Sequence, residues 1–507
     1  MQVLGHHKLC AVVAAPAAEA MHRQLAQAIR QTRMIELRLD WLANDREIER
    51  FLAKLARPRG VTLIATLRRQ QAGGRYRGSI AKQLFHLSEA LRAGCGWYDL
   101  EIETLRRCPP ELIEVLLGEG RQLRSAHFFA RMPQDLTEVA SELRHGGPEA
   151  IKIAARCRSL AEAWKLSRFA QRTKNLVAIP MGEVALAARI LALRGKAGFA
   201  YAPIEQATAS GQTSLAELKN LYRAEHINRG TRVYGVIGDP IVHSLSPVMQ
   251  NTGFKARRMN AIYLPFLVED LNDFLGSIPR FNIRGFSVTL PYKRSILEHL
   301  DGCDPLAAEI GAVNTVVVRG SGMLYGYNTD YVGVLRTLER RMPLRGSRVL
   351  IVGAGGAARA VAFALAKAGS AVSVSARRWR QATGLARAVN GRAVARRQLR
   401  HEFFDAIVNA TPVGMFPAPE ESPLEARELN CRLVFDTIYR PRVTHLLELA
   451  ARRGAKTVSG VEMFVAQGTA QWEIWTGERA PAEAMRRAVL AALTREENSA
   501  PQGSDTP

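Results

Sequence analysis

The chain has 507 residues, 47% of them apolar and 23% charged, the balance of a globular protein of about two or three domains. A wholly disordered or fibrous chain is excluded, and no apolar run reaches the roughly 20 residues that a membrane helix needs. The 70 Lys and Arg against 47 Asp and Glu leave a net charge of +23, but the excess is spread over both halves, mostly as Arg, without the clustered block of a nucleic-acid footprint; neither a nucleic acid nor a membrane is expected as partner.

The first apolar stretch, residues 9–15, has the outline of a short signal peptide but reads as a first buried strand, because a second strand pattern follows at 34–39. Further short apolar strands are predicted near 61–67, 97–102, 122–127, 150–154, 175–180 and 197–202, with helical stretches between them. Eight such alternations imply a parallel sheet closed as a (β/α)8 TIM barrel over residues 1–225, with its active site at the C-terminal strand ends. Polar residues gather there: Glu36 and Arg38 in the second strand, Arg68 after the third, Asp99, Glu101 and Glu103 in the fourth, His127 at the end of the fifth and Lys152 within the sixth.

A lysine inside an apolar strand is costly unless it is paired or useful. Burial favours its neutral form and makes a nucleophilic amine available. An internal ion pair, such as Glu101 with Lys152, is the structural alternative. Taken together, Lys, His and a carboxylate suit imine chemistry. The six cysteines (Cys10, Cys95, Cys108, Cys157, Cys303 and Cys431) form no CxxC pair and no zinc-ligand spacing, so reduced thiols, no metal and a cytoplasmic location are expected.

The segments Met34–Asp40, Tyr98–Glu103, Ser125–Phe128, Ile151–Ile153 and Thr208–Gln212 resemble type I 3-dehydroquinate dehydratase over roughly residues 8–222. The resemblance implies that Lys152 forms a Schiff base with the substrate ketone, that His127 is the general base and that Glu101 orients it. It also implies that Arg189 grips the substrate carboxylate, that Glu36, Arg38, Arg68, Thr208 and Gln212 bind substrate, and that no added cofactor is used. Phe128 departs from the family, which has an acidic residue or Asn after the histidine, and so does Gly195-Lys196-Ala197.

Residues 223–230 are short and polar and read as a linker. A new strand starts at 232–238. Later, Val349–Val352 runs into the glycine turn Gly353–Arg359 and a helix to about Ala368, the context of a dinucleotide-binding turn. After the next strand, 372–375, stand Arg377 and Arg378, which suit a ribose 2′-phosphate and hence NADP(H) rather than NAD; ordinary solvated charge is the alternative. The pieces Ser244–Pro247, Phe286–Lys293, Gly311–Val316 and Gly326–Asp330 supply the hydroxyls, amide, lysine and carboxylate that a small polyhydroxy acid requires.

Together with Asn409–Met415, Asp436–Tyr439 and Gly460–Gln467, these pieces resemble shikimate dehydrogenase over about residues 231–493. That resemblance implies two lobes: an α/β substrate-binding domain at 231–335 and a Rossmann NADP-binding domain at 336–495, whose C-terminal helices return to the substrate lobe. Residues 496–507 read as a disordered tail. By position, Lys293 and Asp330 match the catalytic pair. Ser244, Ser246, Thr289, Asn314, Tyr439 and Gln467 match substrate contacts. Gly353, Ala354, Gly355, Gly356, Ala357, Arg377, Arg378, Thr411, Met415 and Gly460 match cofactor contacts. Ala376 and Tyr331 depart from the family's usual Asn and Gly.

The two resemblances imply consecutive steps: dehydration of 3-dehydroquinate to 3-dehydroshikimate, then NADPH-dependent reduction to shikimate. Their order resembles the bifunctional dehydratase–dehydrogenase of plants, here expected as a bacterial fusion without a transit peptide. Two rivals are a metabolite sensor on inactive enzyme folds and a second half acting on quinate with NAD.

Overall fold

A computed structural model describes residues 7–56, 58–195, 199–205, 212–241 and 244–499. Thr208, with most of the 208–212 motif, Lys196 and Ala197, and the tail from residue 500 lie outside the described residues. Contacts divide the chain into two compact units, Met1–Thr231 with Phe266–Asn282, and Arg232–Pro265 with Ile283–Pro507.

The first unit carries eight parallel strands: β1 (Leu9–Val13), β2 (Met34–Arg38), β3 (Thr62–Thr66), β4 (Trp97–Glu101), β5 (Arg121–Phe128), β6 (Ala150–Arg156), β7 (Leu176–Met181) and β8 (Ala200–Pro203). Their order, β7-β6-β5-β4-β3-β2-β1-β8, brings the first and last strands together, as a curled and nearly closed barrel requires. Helices lie between the strands, several started by a side-chain cap: Asn44, Ser79, Asp135, Ser159 and Ser214 each accept a backbone N–H of the first turn. The helix Leu271–Phe281, later in the chain, groups with this unit; the Asp273 carboxylate accepts from the N–H groups of Leu160 (2.7 Å) and Ala161 (3.1 Å) at the start of Leu160–Arg172.

The strand period of two sets the barrel interior in layers. Cys10, Met34, Ile64, Trp97, Leu123, Ala150, Val177 and Phe199 form an apolar layer, one residue from each strand or its entry. Two residues further along each strand stand Val12, Glu36, Thr66, Asp99, Ser125, Lys152, Ile179 and Tyr201, so the layer above the apolar floor is polar. The next step up includes Arg38, Arg68, Glu101 and His127.

The second unit contains two sheets. β9 (Arg232–Gly238), β10 (Ala261–Leu267), β11 (Ile283–Val288), β12 (Gly302–Cys303), β13 (Thr315–Val318) and β14 (Leu324–Tyr327) form a mixed sheet in the order β10-β9-β11-β13-β14-β12. β15 (Arg348–Val352), β16 (Ala371–Ser375), β17 (Arg392–Ala393), β18 (Phe404–Asn409), β19 (Cys431–Asp436) and β20 (Lys456–Val458) form a parallel sheet in the order β17-β16-β15-β18-β19-β20. Counted from β15 this is 3-2-1-4-5-6, the doubly wound Rossmann order, whose ligand crevice opens where β15 and β18 diverge. The long helix Gly460–Thr476 packs on Asp330–Leu338, and the last helix, Ala482–Ser499, continues into the segment read as tail. All six cysteines are free. Among the described residues, no helix is long and apolar enough to cross a membrane.

Two candidate active sites

A cleft at the C-terminal end of the barrel is lined by Glu36, Arg38, Arg68, His127, Lys152, Arg189 and Gln212, with Phe129 and Tyr201. Lys152 is 1% exposed. Its Nζ is ion-paired with Asp99 and lies 3.5 Å from Glu36, which also accepts from Thr66 Oγ1 at 2.9 Å. Burial alone would raise the Asp99 carboxyl, but the Lys152 and Arg68 charges outweigh it and hold it below its ordinary range. Arg38 is tied to Asp40 by two bonds of 2.9 and 2.8 Å, and Arg68 reaches Asp99 at 3.4 Å. Burial, then the charges of Arg68, Lys152 and Arg38, push the His127 imidazole well below its ordinary value, so it is neutral and able to take a proton. Arg189 bonds the carbonyls of Pro180 (2.7 Å) and Gly182 (3.0 Å), and burial brings it down to about 10.

The expected orientation of His127 by Glu101 is not made. His127 Nδ1 is buried without a hydrogen-bond partner among the described residues. The Glu101 carboxylate is instead taken by Gln83 Nε2 (2.9 Å), Thr104 Oγ1 (3.0 Å) and the Arg69 N–H (3.3 Å), donors on the helices and turn around it. Nor is Glu101 the partner of Lys152; that is Asp99, two residues earlier on β4. Asp99, Tyr201 and Phe129 went unassigned in the sequence. Counting two residues on from Trp97 and Phe199 in the apolar layer would have found the first two. Phe129 stacks on His127, with ring centroids 6.0 Å apart, and its ring occupies the space a Cβ at Gly73 would need.

The second site forms where β11, β13, β14 and two helices converge. Lys293 Nζ bonds Asp330 Oδ2 at 2.6 Å, and Asn314 Nδ2 holds Asp330 Oδ1 at 2.9 Å. Asn314 Nδ2 also lies 3.5 Å from Gln467 Oε1. The Tyr439 hydroxyl faces the Ser244 side chain, and Ser244 Oγ accepts the Ser246 N–H at 3.3 Å. Thr289 leaves β11 with its methyl against Gly238. A support network missed in the sequence backs these groups: Tyr263 Oη and Ser287 Oγ lie 2.6 Å apart, Ser287 donates to Gln471 Oε1 at 2.8 Å, and Gln471 donates to the Asn314 carbonyl at 3.1 Å.

The glycine turn fits a dinucleotide. Gly353 has φ +118° and lies so close to β18 that a Cβ would stand 2.8 Å from the Ala410 carbonyl. The space where a Cβ of Gly355 would go is open, so the turn between Ala354 and Ala357 presents bare backbone at the N-terminus of the helix Gly356–Lys367, a cradle for phosphate. A Cβ on Gly356 would touch Lys293 Cβ at 3.4 Å, which puts this turn beside the Lys293–Asp330 pair. Arg377 and Arg378 are exposed past the end of β16. Thr411 is fixed by Asn409 Oδ1, which accepts its N–H (3.0 Å) and its hydroxyl (2.7 Å); Met415 is exposed; Gly460 donates its N–H to the Ile438 carbonyl at 3.1 Å.

Residues 9–229 match the family model of type I 3-dehydroquinase, 236–316 that of the shikimate dehydrogenase substrate binding domain, and 460–490 that of the shikimate 5′-dehydrogenase C-terminal domain. The chain is 33% identical over 474 residues to the chloroplastic bifunctional 3-dehydroquinate dehydratase/shikimate dehydrogenase of Arabidopsis thaliana, covering 89% of this chain and 78% of the relative. It is 43% identical over 277 residues to the NADP(+) shikimate dehydrogenase of Methanosarcina acetivorans, 52% of this chain and 99% of that one. A crystal structure of a shikimate dehydrogenase in complex with NADP+ superposes with a TM-score of 0.50 at 36% identity, covering 52% of this chain and 97% of the other.

Proposed function

Since this chain belongs to the family of bifunctional 3-dehydroquinate dehydratases/shikimate dehydrogenases, we propose that its barrel cleft converts 3-dehydroquinate to 3-dehydroshikimate through Lys152, and that the Lys293–Asp330 site reduces that product to shikimate with NADPH. The observation that carries the first half is a fully buried lysine among carboxylates, one layer below a neutral histidine.

In the barrel, the neutral Lys152 amine bonds to the C3 carbonyl carbon. The carbonyl oxygen gains two protons, one from the amine and one from an acid in the cleft, and leaves as water. The resulting iminium draws electrons from the neighbouring C2–H bond; His127 accepts that proton and returns one to the C1 hydroxyl as it departs as water. Water then frees the product and restores the amine. Arg189, Arg38, Arg68 and Gln212, which line the cleft, would hold the carboxylate and hydroxyls, with Glu36 beside Nζ; Thr208 keeps the role its motif implies. Glu101 serves through Gln83 and Thr104, bracing the wall of the cleft.

In the second unit, NADPH, when bound, supplies the hydride for the ketone. Gly353, Ala354, Gly355, Gly356 and Ala357 would hold its pyrophosphate, Arg377 and Arg378 its 2′-phosphate, and Thr411, Met415 and Gly460 would border its nicotinamide end. Lys293 hands a proton to the ketone oxygen, and Asp330, itself held by Asn314, aims the ammonium. Ser244, Ser246, Thr289, Tyr439 and Gln467 supply partners for the carboxylate and hydroxyls. We place both reactions in the cytoplasm, a reading that the six free cysteines support.

The test is one coupled assay. Purified chain receives 3-dehydroquinate and NADPH, and absorbance of the reduced cofactor should fall; no consumption refutes the paired reactions. Borohydride added with ligand should attach substrate to Lys152, and a mass increment on another residue would reject it as the nucleophile.

A further inference from the structure

The barrel cleft holds a buried hydrogen-bonding group with no task in the scheme above. Tyr201, on β8, stands in the same polar layer as Lys152, two residues beyond Phe199 of the apolar floor. Its ring centroid lies 5.0 Å from Lys152 Nζ, close enough for the ammonium to sense the π face. Its hydroxyl oxygen is buried and has no hydrogen-bond partner among the described residues. A tyrosine hydroxyl left unpaired in a protein interior forfeits the water it would bond in solution, so its retention asks for a compensating ligand. Apolar packing alone would be served by phenylalanine at this position.

The surroundings favour a donor. Burial, then the charges of Glu36, Cys10 and Asp99, drive the hydroxyl well above its ordinary value, and it keeps its proton at any working pH. Among the described residues Lys152 is the cation that stands over the ring, and Asp99 already receives Lys152 and Arg68 while Glu36 receives Thr66. The hydroxyl therefore lines the cleft with an unspent O–H beside the atom where covalent chemistry is assigned.

We propose that Tyr201 donates its hydroxyl hydrogen to an oxygen of the bound keto acid at, or next to, the carbon attacked by Lys152. When that oxygen is the carbonyl itself, the bond strengthens as the C–N bond forms and electron density moves onto oxygen. The oxygen then leaves as water with protons from the amine and from an acid in the cleft; Tyr201 is not consumed and transfers nothing. The group is thus a substrate-contacting donor, whose effect belongs to imine formation rather than to proton abstraction by His127.

This inference rests on the assignment of Lys152 as nucleophile, and the experiment separates the two. Tyr201→Phe keeps the ring over Nζ and removes only the hydroxyl. The dehydration kcat/KM of the full chain should fall about tenfold or more, the share of one hydrogen bond, and the rate of borohydride trapping on Lys152 should fall by the same factor. Trapping at saturating substrate should still reach one increment per chain, which shows an intact barrel. Tyr201→Leu, which also strips the ring from the ammonium, should lose more and shift the pH profile of trapping, while Tyr201→Phe leaves that profile in place. Unchanged kcat/KM and unchanged trapping rate in Tyr201→Phe, with wild type competent, overturn the role of Tyr201 alone. Wild type that turns over without trapping at Lys152 overturns the nucleophile, and with it this inference.

Discussion

Two aspartates, one in each unit, answer burial in opposite ways. Asp99 is 2% exposed and Asp436 is fully buried. In the barrel, Lys152 and Arg68 surround Asp99, and their charge holds its carboxyl below the ordinary range despite the desolvation. In the doubly wound sheet, Asp436 has only neutral donors among the described residues: Thr444 Oγ1 at 2.7 Å, the Ile438 N–H at 3.0 Å and Asn409 Nδ2 at 3.0 Å. There burial wins and lifts the carboxyl to about 6. The difference teaches what each buried acid is for. Asp99 balances the charge of Lys152, the proposed nucleophile. Asp436 ties the ends of β18 and β19 to the segment before the helix His445–Arg452, holding the loops that carry Thr411 and Tyr439. The two lysines differ as well: the Lys152 side chain is 2% exposed and that of Lys293 17%, as suits the roles proposed for them, a nucleophilic amine and a proton donor recharged from solvent.

The comparison breaks first at the lysines. Lys152→Ala should lower dehydration at least about 10^4-fold while reduction of supplied 3-dehydroshikimate continues, because covalent catalysis has no substitute in the cleft. The mirror variant, Lys293→Ala, should cost reduction about 10^2–10^4-fold and spare dehydration. Separate assays of each step decide it; loss of both steps in either variant would end the picture of two independent sites.

Asp436 gives the next effect. Its unfolded carboxyl titrates near 3.8 and the folded one near 6, so the folded state binds more protons between these values. The stability of the protonated form is present below the lower value and is lost as pH rises through the upper one, a change of about 3 kcal/mol. Asp436→Asn cannot titrate. The difference in unfolding free energy between wild type and variant should therefore move against wild type from pH 4 to pH 7, and a difference constant with pH would reject a neutral-donor site. Asp99 should behave with the opposite sign, its stabilisation fully present above the ordinary carboxyl value and lost as pH falls through the lowered one.

The smallest effect is at the cofactor phosphate. Arg377→Ala should raise the KM for NADPH about tenfold, leave the KM for NADH unmoved and change kcat little, since the arginine acts where the two cofactors differ. A parallel rise for both cofactors would move Arg377 away from the 2′-phosphate.

Much of this was legible in the residues because period and turn chemistry are local. The eight barrel strands were predicted within a few residues, and the strand–glycine turn–helix at 348–367 followed from Gly353, which alone tolerates φ +118° against the Ala410 carbonyl. The polar residues of the barrel also declared themselves by standing in apolar strands. What strand position leaves open is which carboxylate meets which base. Asp99 and Glu101 sit on one face of β4, and nothing in their order says that Lys152 takes the nearer layer while Gln83 and Thr104 claim the other.

The sequence by itself thus determined the eightfold alternation, the strand–glycine turn–helix of the second half and the family of each half, because hydrophobic period, glycine geometry and motif spacing act over a few residues at a time. Only the tertiary structure decided that Asp99 is the counter-ion of Lys152, that the Tyr201 hydroxyl is left unspent beside it and that the helix Leu271–Phe281 groups with the first unit. Those outcomes depend on shared burial between segments distant in the chain, where charges and hydrogen bonds are settled by competition among all the groups that meet.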